Sequence, residues 1–142
     1  MDPSLTLALE PPSVDEFMSL RERAGLSPRS TEGAAIGLPA SWAAATVRDE
    51  AGEALGMGRL VGDGGCALHL VDMAVLPEQQ RRGIGTAILE ALLAEIRERA
   101  PAGVDVSLLA DPPGRDLYRR FGFVETAPGE VGMALREDPA HT

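Results

Sequence analysis

The sequence is poor in cysteine, in positive charge and in long apolar runs. Its single cysteine, Cys66, cannot form an internal disulfide bond or supply a cluster of zinc ligands, which is typical of a reducing compartment. The first residues show no basic region followed by an apolar one, and no run of about 18 apolar residues occurs. We therefore expect a cytoplasmic protein with no membrane partner.

Positive charge is outnumbered: 13 Lys plus Arg against 22 Asp plus Glu give a net charge of −9. The overall field repels polyanions, so no nucleic-acid partner is expected, and a cationic ligand is favoured. The length of 142 residues, 44% hydrophobic and 25% charged, suits one domain over residues 1–142 that needs no metal and no disulfide. Residues 137–142 are expected to be a frayed, disordered tail.

The first half of the chain is predicted to hold one helix and two strands. Ser13 stands three residues before Glu16 and ahead of an apolar stripe, which predicts a capped helix over residues 14–24. A short turn separates two further apolar segments, and these are predicted to be strands over residues 42–48 and 54–61.

The second half is predicted to alternate strands and helices. A nearly unbroken apolar run over residues 68–76 is typical of a central strand that is covered on both faces. Isoleucine and leucine then recur every four residues from Ile84, which predicts the longest helix. A buried strand over residues 104–110 should be parallel to the first because a helix joins them. The remaining predictions are a short helix ending at Gly122, strands at 123–124 and 131–135, and either a mobile helix or a loop at 29–38.

The segment over residues 80–86 carries the chemistry, because a buried strand ends before it and the long helix begins within it. Backbone N–H groups at such a helix start have no intrahelical acceptor, and the helix dipole adds partial positive charge, so a phosphate can bind there. Gly83 and Gly85 let a phosphate approach the main chain closely. The Gly-Lys-Ser/Thr ending of a P-loop is absent, and Ile88 stands where a dinucleotide fingerprint needs a small residue.

This order of elements resembles the Gcn5-related N-acetyltransferase superfamily, whose members bind acetyl-CoA. The resemblance rests on Gln80-x-x-Gly83-x-Gly85 at the start of the long helix, and on Tyr118 four residues before Gly122-Phe123. It implies a mixed α/β fold: a central, mostly antiparallel sheet that splays between two parallel strands, with about four flanking helices. It also implies an acyltransferase that uses acetyl-CoA and no metal.

Within the superfamily the nearest pattern is the amine-acetylating branch that includes plant-type serotonin N-acetyltransferases. That branch shows a similar Asp-x-x-Val-x-Pro strand, seen here from Asp72 to Pro77, and an Ala-Asp pair ahead of its tyrosine, seen here at Ala110-Asp111. The segments that would bind the acceptor show no such match, so serotonin is not implied. The expected acceptor is a primary amine of a small, cationic molecule, and a homodimer is expected by analogy.

The resemblance implies which residues hold acetyl-CoA. In the superfamily the loop and helix start hold the pyrophosphate, and the preceding strand pairs with the pantetheine arm and directs an N–H group at the thioester carbonyl. The implied pyrophosphate residues are Gln80, Arg81, Arg82, Gly83, Ile84, Gly85 and Thr86. The implied pantetheine residues are Met73, Ala74 and Val75.

Three residues are candidates for proton transfer. Tyr118 is the only tyrosine and matches the position that commonly acts as general acid in the superfamily; with an ordinary pKa of about 10 it would be protonated at neutral pH. Asp72, in an apolar strand, and Asp111, at the end of the next strand, are candidate bases. The alternatives are a packing role for Tyr118, a structural tie for Asp72 and a helix cap for Asp111.

Two other functions fit the same residues. The acyl group could be a different one, such as propionyl or succinyl, or the domain could bind an acyl-CoA without turning it over.

Overall fold

A computed structural model of the chain describes residues 1–137. The chain divides into two compact units, Met1–Leu108 and Leu109–Thr142. A single domain over residues 1–142 stays a prediction, and most of the predicted tail, residues 138–142, lies outside the described residues.

The first unit is built on a five-stranded sheet with strand order β1-β2-β3-β4-β5. The strands are β1 (Thr6–Ala8), β2 (Ala43–Arg48), β3 (Ala54–Gly62), β4 (Ala67–Val75) and β5 (Asp105–Ser107). Neighbouring strands are antiparallel except for β4 and β5, which are parallel. The predicted mixed α/β fold is confirmed.

The first unit also contains the helices α1 (Val14–Arg23), α2 (Thr31–Gly37) and α3 (Ile84–Arg99). The predicted cap of α1 forms: the Ser13 hydroxyl accepts a hydrogen bond from the Glu16 N–H at 3.1 Å, and the Glu16 carboxylate accepts one from the Ser13 N–H at 2.8 Å. The segment left open between helix and loop forms α2. Among the helices of residues 1–137, none has the length and apolarity that crossing a bilayer needs.

The packing of α3 on the sheet fixes where that helix begins. Its apolar stripe is fully buried, with Ile88, Leu89 and Leu92 showing no exposed surface, and each such side chain stabilises the fold by about 1.5 to 3 kcal/mol. The approach depends on Gly58 of β3, where a Cβ atom would lie 2.8 Å from a methyl carbon of Ile88. A Cβ atom at Gly56 of β3 would lie 2.8 Å from a methyl carbon of Ile84 and 3.2 Å from the Ala74 carbonyl oxygen, so the end of β4 and the start of α3 lie close together.

The sheet opens between β4 and β5. The two strands pair only from Ala67↔Asp105 to His69↔Ser107, so residues 70–75 of β4 have no β5 neighbour among the described residues. On its other edge β4 carries a bulge, since two of its residues, Asp72 and Met73, lie opposite one residue of β3. Asp72 adopts a left-handed backbone with φ of 58°, within the part of β4 that has no β5 neighbour.

The second unit contains the short helix α4 (Arg115–Arg120). A single 3₁₀ turn precedes it, and Asp111 occupies the N-cap position of that turn without a side-chain cap bond. The Tyr118 and Phe123 rings pack edge to face, with centroids 6.0 Å apart. The unit therefore holds the tyrosine through ring packing.

The predicted strands at residues 123–124 and 131–135 are wrong. Neither segment forms a strand within the described chain, and Val131 and Met133 are 68% and 88% exposed. The alternation of apolar residues at 131, 133 and 135 fits a half-buried strand, but alternation alone cannot supply the neighbouring strand that a ladder requires.

Candidate active site

The start of α3 presents a row of main-chain N–H groups. Gly83 takes the N-cap position with φ of +78° and no side-chain cap bond, and the first intrahelical bond runs from the Ala87 N–H to the Gly83 carbonyl at 3.0 Å. Among the described residues the N–H groups of residues 81–86 have no protein acceptor. Since helix N-termini of this kind bind anions, the loop can hold a phosphate through its backbone.

The two arginines of this loop differ in what they contact. One nitrogen of the Arg82 guanidinium donates to the Asp2 carboxylate at 2.8 Å, and another donates to the Gln79 side chain. Arg81 is exposed, has a left-handed φ of 68° and makes no hydrogen bond to the described residues. Asp2 therefore offsets much of the positive charge of Arg82, whereas the guanidinium of Arg81 keeps its donors free of the described residues and could add to the backbone N–H groups.

The open edge of β4 provides the second part of the site. Met73, Ala74 and Val75 lie in the part of β4 that has no β5 neighbour, and Ala74 and Val75 pair with β3 on the other edge. Main-chain groups on the open edge are free to pair with an extended ligand in the manner of an added strand. Binding of pantetheine here stays a prediction.

Asp72, predicted as a base, lies between two arginines. Its side chain is 7% exposed, and its two oxygens accept hydrogen bonds from Arg21 Nη1 at 2.5 Å and from Arg59 Nε at 2.8 Å. A buried carboxylate requires such partners. The contacts match the structural tie that was the alternative for this residue, and a role as base stays a prediction.

The two arginines anchor the chain around α2. Arg21 donates to the Ser27 carbonyl from Nε at 2.8 Å and from Nη2 at 2.6 Å. Arg59 donates from Nη1 to the Gly37 carbonyl at 3.1 Å and to the Ser41 hydroxyl at 2.9 Å. Burial lowers the pKa of Arg21, and the Asp72 carboxylate opposes that shift. The cluster thus ties both ends of the α2 region to the sheet.

A cavity of about 220 Å³ lies against this cluster. We call it the arginine cavity, and the residues of its lining that matter below are Phe17, Arg29, Leu38, Arg59 and Asp72. The arginines of the cavity and of the Asp72 cluster were not predicted as site residues. Two of them left a partial signal in the sequence, because Arg21 of the cluster falls four residues after Phe17 on the apolar stripe of α1, and Arg59 interrupts an apolar strand.

Tyr118 and Asp111 belong to the second unit. The tyrosine is half-buried, and burial, followed by the charge of Asp111, raises the pKa of its phenol above the ordinary value. The ring lies over Gly114, where a Cβ atom would approach a ring carbon to 2.9 Å. The phenol is therefore protonated at neutral pH, as a general acid must be, and its role as that acid stays a prediction.

Comparison with known proteins gives the same family throughout. The model of the acetyltransferase (GNAT) domain matches residues 41–125. The chain is 30% identical over 94 residues to "Serotonin N-acetyltransferase 2, chloroplastic" of Oryza sativa subsp. japonica, a match covering 66% of this chain and 46% of that protein. It is 33% identical over 79 residues to "GCN5-related N-acetyltransferase 2, chloroplastic" of Arabidopsis thaliana, covering 56% and 30% respectively. The matches span less than half the length of these relatives.

Solved structures share the fold over nearly the whole chain. A protein of meticillin-resistant Staphylococcus aureus described as a "Probable Acetyltransferase" is 36% identical, with a TM-score of 0.89 and coverage of 94% of this chain and 99% of that one. A GNAT family protein of Streptococcus pneumoniae, 22% identical with a TM-score of 0.75 over 95% of this chain and 98% of that one, supports the fold alone. The fold and the matched residues define an acetyltransferase domain. The chain belongs to the GNAT family, and the predicted resemblance to its plant serotonin N-acetyltransferase branch is confirmed.

Proposed function

We propose that this protein transfers the acetyl group of acetyl-CoA to a primary amine of a small molecule. The observation that carries the proposal is the row of backbone N–H groups over residues 81–86, which have no protein acceptor among the described residues. These donors would hold a diphosphate, and within residues 1–137 nothing lies within 4 Å of the position that a Cβ atom of Gly83 would take. The open edge of β4 would hold the pantetheine arm.

When bound, acetyl-CoA supplies the acetyl group as a thioester. An N–H group on the open edge of β4, within residues 73–75, would donate to the thioester carbonyl as negative charge develops on its oxygen. The attacking amine loses a proton and the departing sulfur gains one. Tyr118 would donate that second proton, because its raised pKa keeps the phenol protonated at neutral pH.

The two candidate bases differ in what surrounds them. Both oxygens of Asp72 accept hydrogen bonds from guanidinium groups, which favours a positioning role for this residue. Asp111 is exposed and lies near enough to Tyr118 to affect its pKa. We therefore propose Asp111 as the carboxylate that accepts the proton of the amine, directly or through water.

The test is release of free CoA thiol when acetyl-CoA is mixed with a panel of amines. We expect release with at least one amine, and we expect Tyr118→Phe to lower kcat at least about tenfold, or about 1.4 kcal/mol, with CoA binding nearly unchanged. Phenylalanine is a matched replacement because the ring contact with Phe123 is kept. Equal turnover of wild type and variant from about pH 6 to about pH 9 would remove the general-acid role.

The same assay separates the alternatives. Release of CoA thiol from propionyl-CoA or succinyl-CoA but not from acetyl-CoA would show that the protein uses a different acyl donor. Binding of CoA without release for any donor and amine would support an acyl-CoA-binding module.

A further inference from the structure

The arginine cavity carries a positive charge balance on an acidic protein. Three charged residues line it, Arg29, Arg59 and Asp72, and Arg21 lies behind them on Asp72. Three guanidinium groups and one carboxylate leave a balance of two positive charges, whereas the whole chain has a net charge of −9. The guanidinium groups are close enough that Arg29 and Arg59 each lower the pKa of Arg21. This local field favours an anion.

Asp72 cannot serve as the partner of a bound cation. Its two oxygens already accept hydrogen bonds from Arg21 and Arg59, and its side chain is 7% exposed. A cationic group that entered the cavity would therefore meet a carboxylate that is already paired with two guanidinium groups. It would also meet their remaining positive charge.

Arg59, a lining residue of the cavity, retains free donors. Its Nε and Nη1 donate to protein oxygens, whereas its Nη2 has no acceptor within residues 1–137. Every fully buried side-chain N or O atom of the described residues has a hydrogen-bond partner, so Nη2 is reached by solvent. Because three hydrogen bonds orient the planar guanidinium, the direction of its two remaining N–H groups is fixed in advance.

Arg29 supplies a second set of donors. Its Nη1 donates to the Ser27 hydroxyl at 2.9 Å and to the Pro28 carbonyl at 3.2 Å, while its Nε and Nη2 have no acceptor in the part of the chain that the structure describes. The residue is exposed at the cavity. Carboxylates and phosphates are the groups that guanidinium pairs recognise best, because two parallel N–H bonds match their oxygens.

We infer that the acceptor amine also carries an anionic group, a carboxylate or a phosphate, which Arg59 and Arg29 bind in the arginine cavity. The inference rests on the proposed function. It replaces a purely cationic acceptor with a zwitterionic one, whose amine is favoured by the overall negative charge and whose anionic group is favoured by the cavity. Amino acids and amino-sugar phosphates are the two chemical sources.

The test compares acceptors that differ only in the anionic group. Thiol release from acetyl-CoA is measured with free L-amino acids against their carboxamides, and with glucosamine 6-phosphate against glucosamine. We expect at least one charged acceptor to exceed its neutral match by about tenfold or more in kcat/KM. A preference seen only between amino acids and their carboxamides identifies a carboxylate as the bound group. A preference seen only between glucosamine 6-phosphate and glucosamine identifies a phosphate.

Turnover of neutral acceptors that equals or exceeds that of the charged ones overturns the inference and leaves the proposed function intact. If no acceptor turns over, the same compounds are titrated calorimetrically into the protein saturated with CoA. Tighter binding of charged compounds then supports the cavity and contradicts the proposed transfer, whereas equal binding, or none, overturns the inference.

A variant pair locates the effect. Arg29→Ala should raise KM for the charged acceptor about tenfold and leave the neutral match within about twofold. Arg97→Ala is the control, because Arg97 is an exposed arginine of α3 outside the cavity lining, and its loss changes the net charge by the same amount. Equal effects of the two variants on the charged acceptor would assign the preference to the overall charge and overturn the inference.

Discussion

The start of α3 and the arginine cavity both offer hydrogen-bond donors to an anion, but they are made from different parts of the chain. The first uses main-chain N–H groups from one short segment, residues 81–86. The second uses side chains brought together by the fold, with Arg21 and Asp72 separated by 51 positions. A main-chain site should depend on backbone conformation and tolerate changes of side chain. A side-chain site should show the reverse, and the predictions below test that difference.

The largest effect is expected at Asp72, which joins Arg59 of the cavity lining to Arg21 behind it. Removing one member of a buried ion cluster leaves uncompensated charge, so Asp72→Asn should lower the free energy of unfolding by about 3 to 5 kcal/mol. Asparagine is the informative replacement because it tolerates the left-handed φ of 58° at this position. Urea unfolding of variant and wild type measures the change.

The control for Asp72 is an exposed aspartate. The Asp116 side chain is 94% exposed and pairs with Arg119, and Asp116→Asn should change the free energy of unfolding by less than about 0.5 kcal/mol. If Asp72→Asn changed the free energy of unfolding as little as this control, the cluster would not hold α2 to the sheet. That result would favour a role for Asp72 in proton transfer.

A change of backbone should affect the start of α3. Gly83→Ala places a Cβ atom at a φ of +78° in open space, so the expected cost is the left-handed conformation alone, about 1 to 2 kcal/mol. Because relief of that strain would rotate the N–H groups of residues 84–86, CoA affinity measured by calorimetry should fall about tenfold.

Gly103 provides a matched control beyond the other end of α3. Its φ is +89° and no atom of the described chain lies within 4 Å of its Cβ position, so Gly103→Ala should cost similar stability. Its CoA affinity should match that of wild type. A similar loss of CoA affinity in both variants would mean that the effect comes from general destabilisation, and the main-chain site would lose its support.

A smaller effect is expected at Glu16, which lies on the same helix as Arg21 but outside the cavity. Its carboxylate accepts hydrogen bonds from Arg48 at 2.8 and 3.0 Å, and this pairing lowers the pKa of Glu16 from 4.5 to about 2. A depressed pKa stabilises the fold above the unfolded-state value, and that stabilisation is lost as pH falls through the folded-state value.

Glu16→Gln keeps the acceptor of the capping box and removes the charge. Because the side chain is 25% exposed, the variant should be less stable by about 1 kcal/mol at neutral pH. Urea unfolding repeated at falling pH should show the difference shrink below about pH 4.5 and vanish near pH 2. A difference that persists at the acid end would assign the effect to packing rather than charge.

The contrast between the two regions also explains how much the sequence could predict. Glycine spacing dictates a backbone conformation locally, so the anion site at Gly83 and Gly85, the capping box at Ser13, and the order of β4, α3 and β5 could be inferred from neighbouring residues. The arginine cavity depends on which helix face meets which strand. Nothing local in the sequence indicates that Arg29 and Arg59 line the same cavity.

The same distinction accounts for the interpretation of Asp72 and for the missing strands. The apolar strand around Asp72 indicates that burying its carboxylate is costly. The two guanidinium groups that offset this cost come from α1 and β3, which are distant in the sequence. The alternation over residues 131–135 was readable too, yet the described chain forms no ladder there. A local pattern predicts what a segment can form, whereas its partner decides whether it forms.

The smallest change expected in a measured quantity is a shift of one pKa in the second unit, where one exposed charge acts on one neutral phenol. Burial and then the charge of Asp111 raise the pKa of Tyr118, because a nearby negative charge disfavours the phenolate. Asp111→Asn should therefore lower that pKa, which should remain above its ordinary value because burial is the larger cause. Tyr118 is the only tyrosine, so the absorbance change of tyrosinate formation on alkaline titration reports this one group.

Asp116→Asn serves as control here as well, since Asp116 lies on α4 and does not contribute to the shift of Tyr118; its titration should match wild type. An unchanged titration in Asp111→Asn would mean that burial alone raises the pKa of Tyr118. It would contradict the electrostatic effect of Asp111 on the phenol. Asp111→Asn also removes the proposed base, so kcat should fall across the whole pH range. Because a general acid works only while protonated, a lowered phenol pKa should in addition move the alkaline fall of kcat to lower pH. Agreement between the spectroscopic and kinetic shifts would connect the phenol of Tyr118 to the departing sulfur, because a phenol that only packs against Phe123 would titrate without changing turnover.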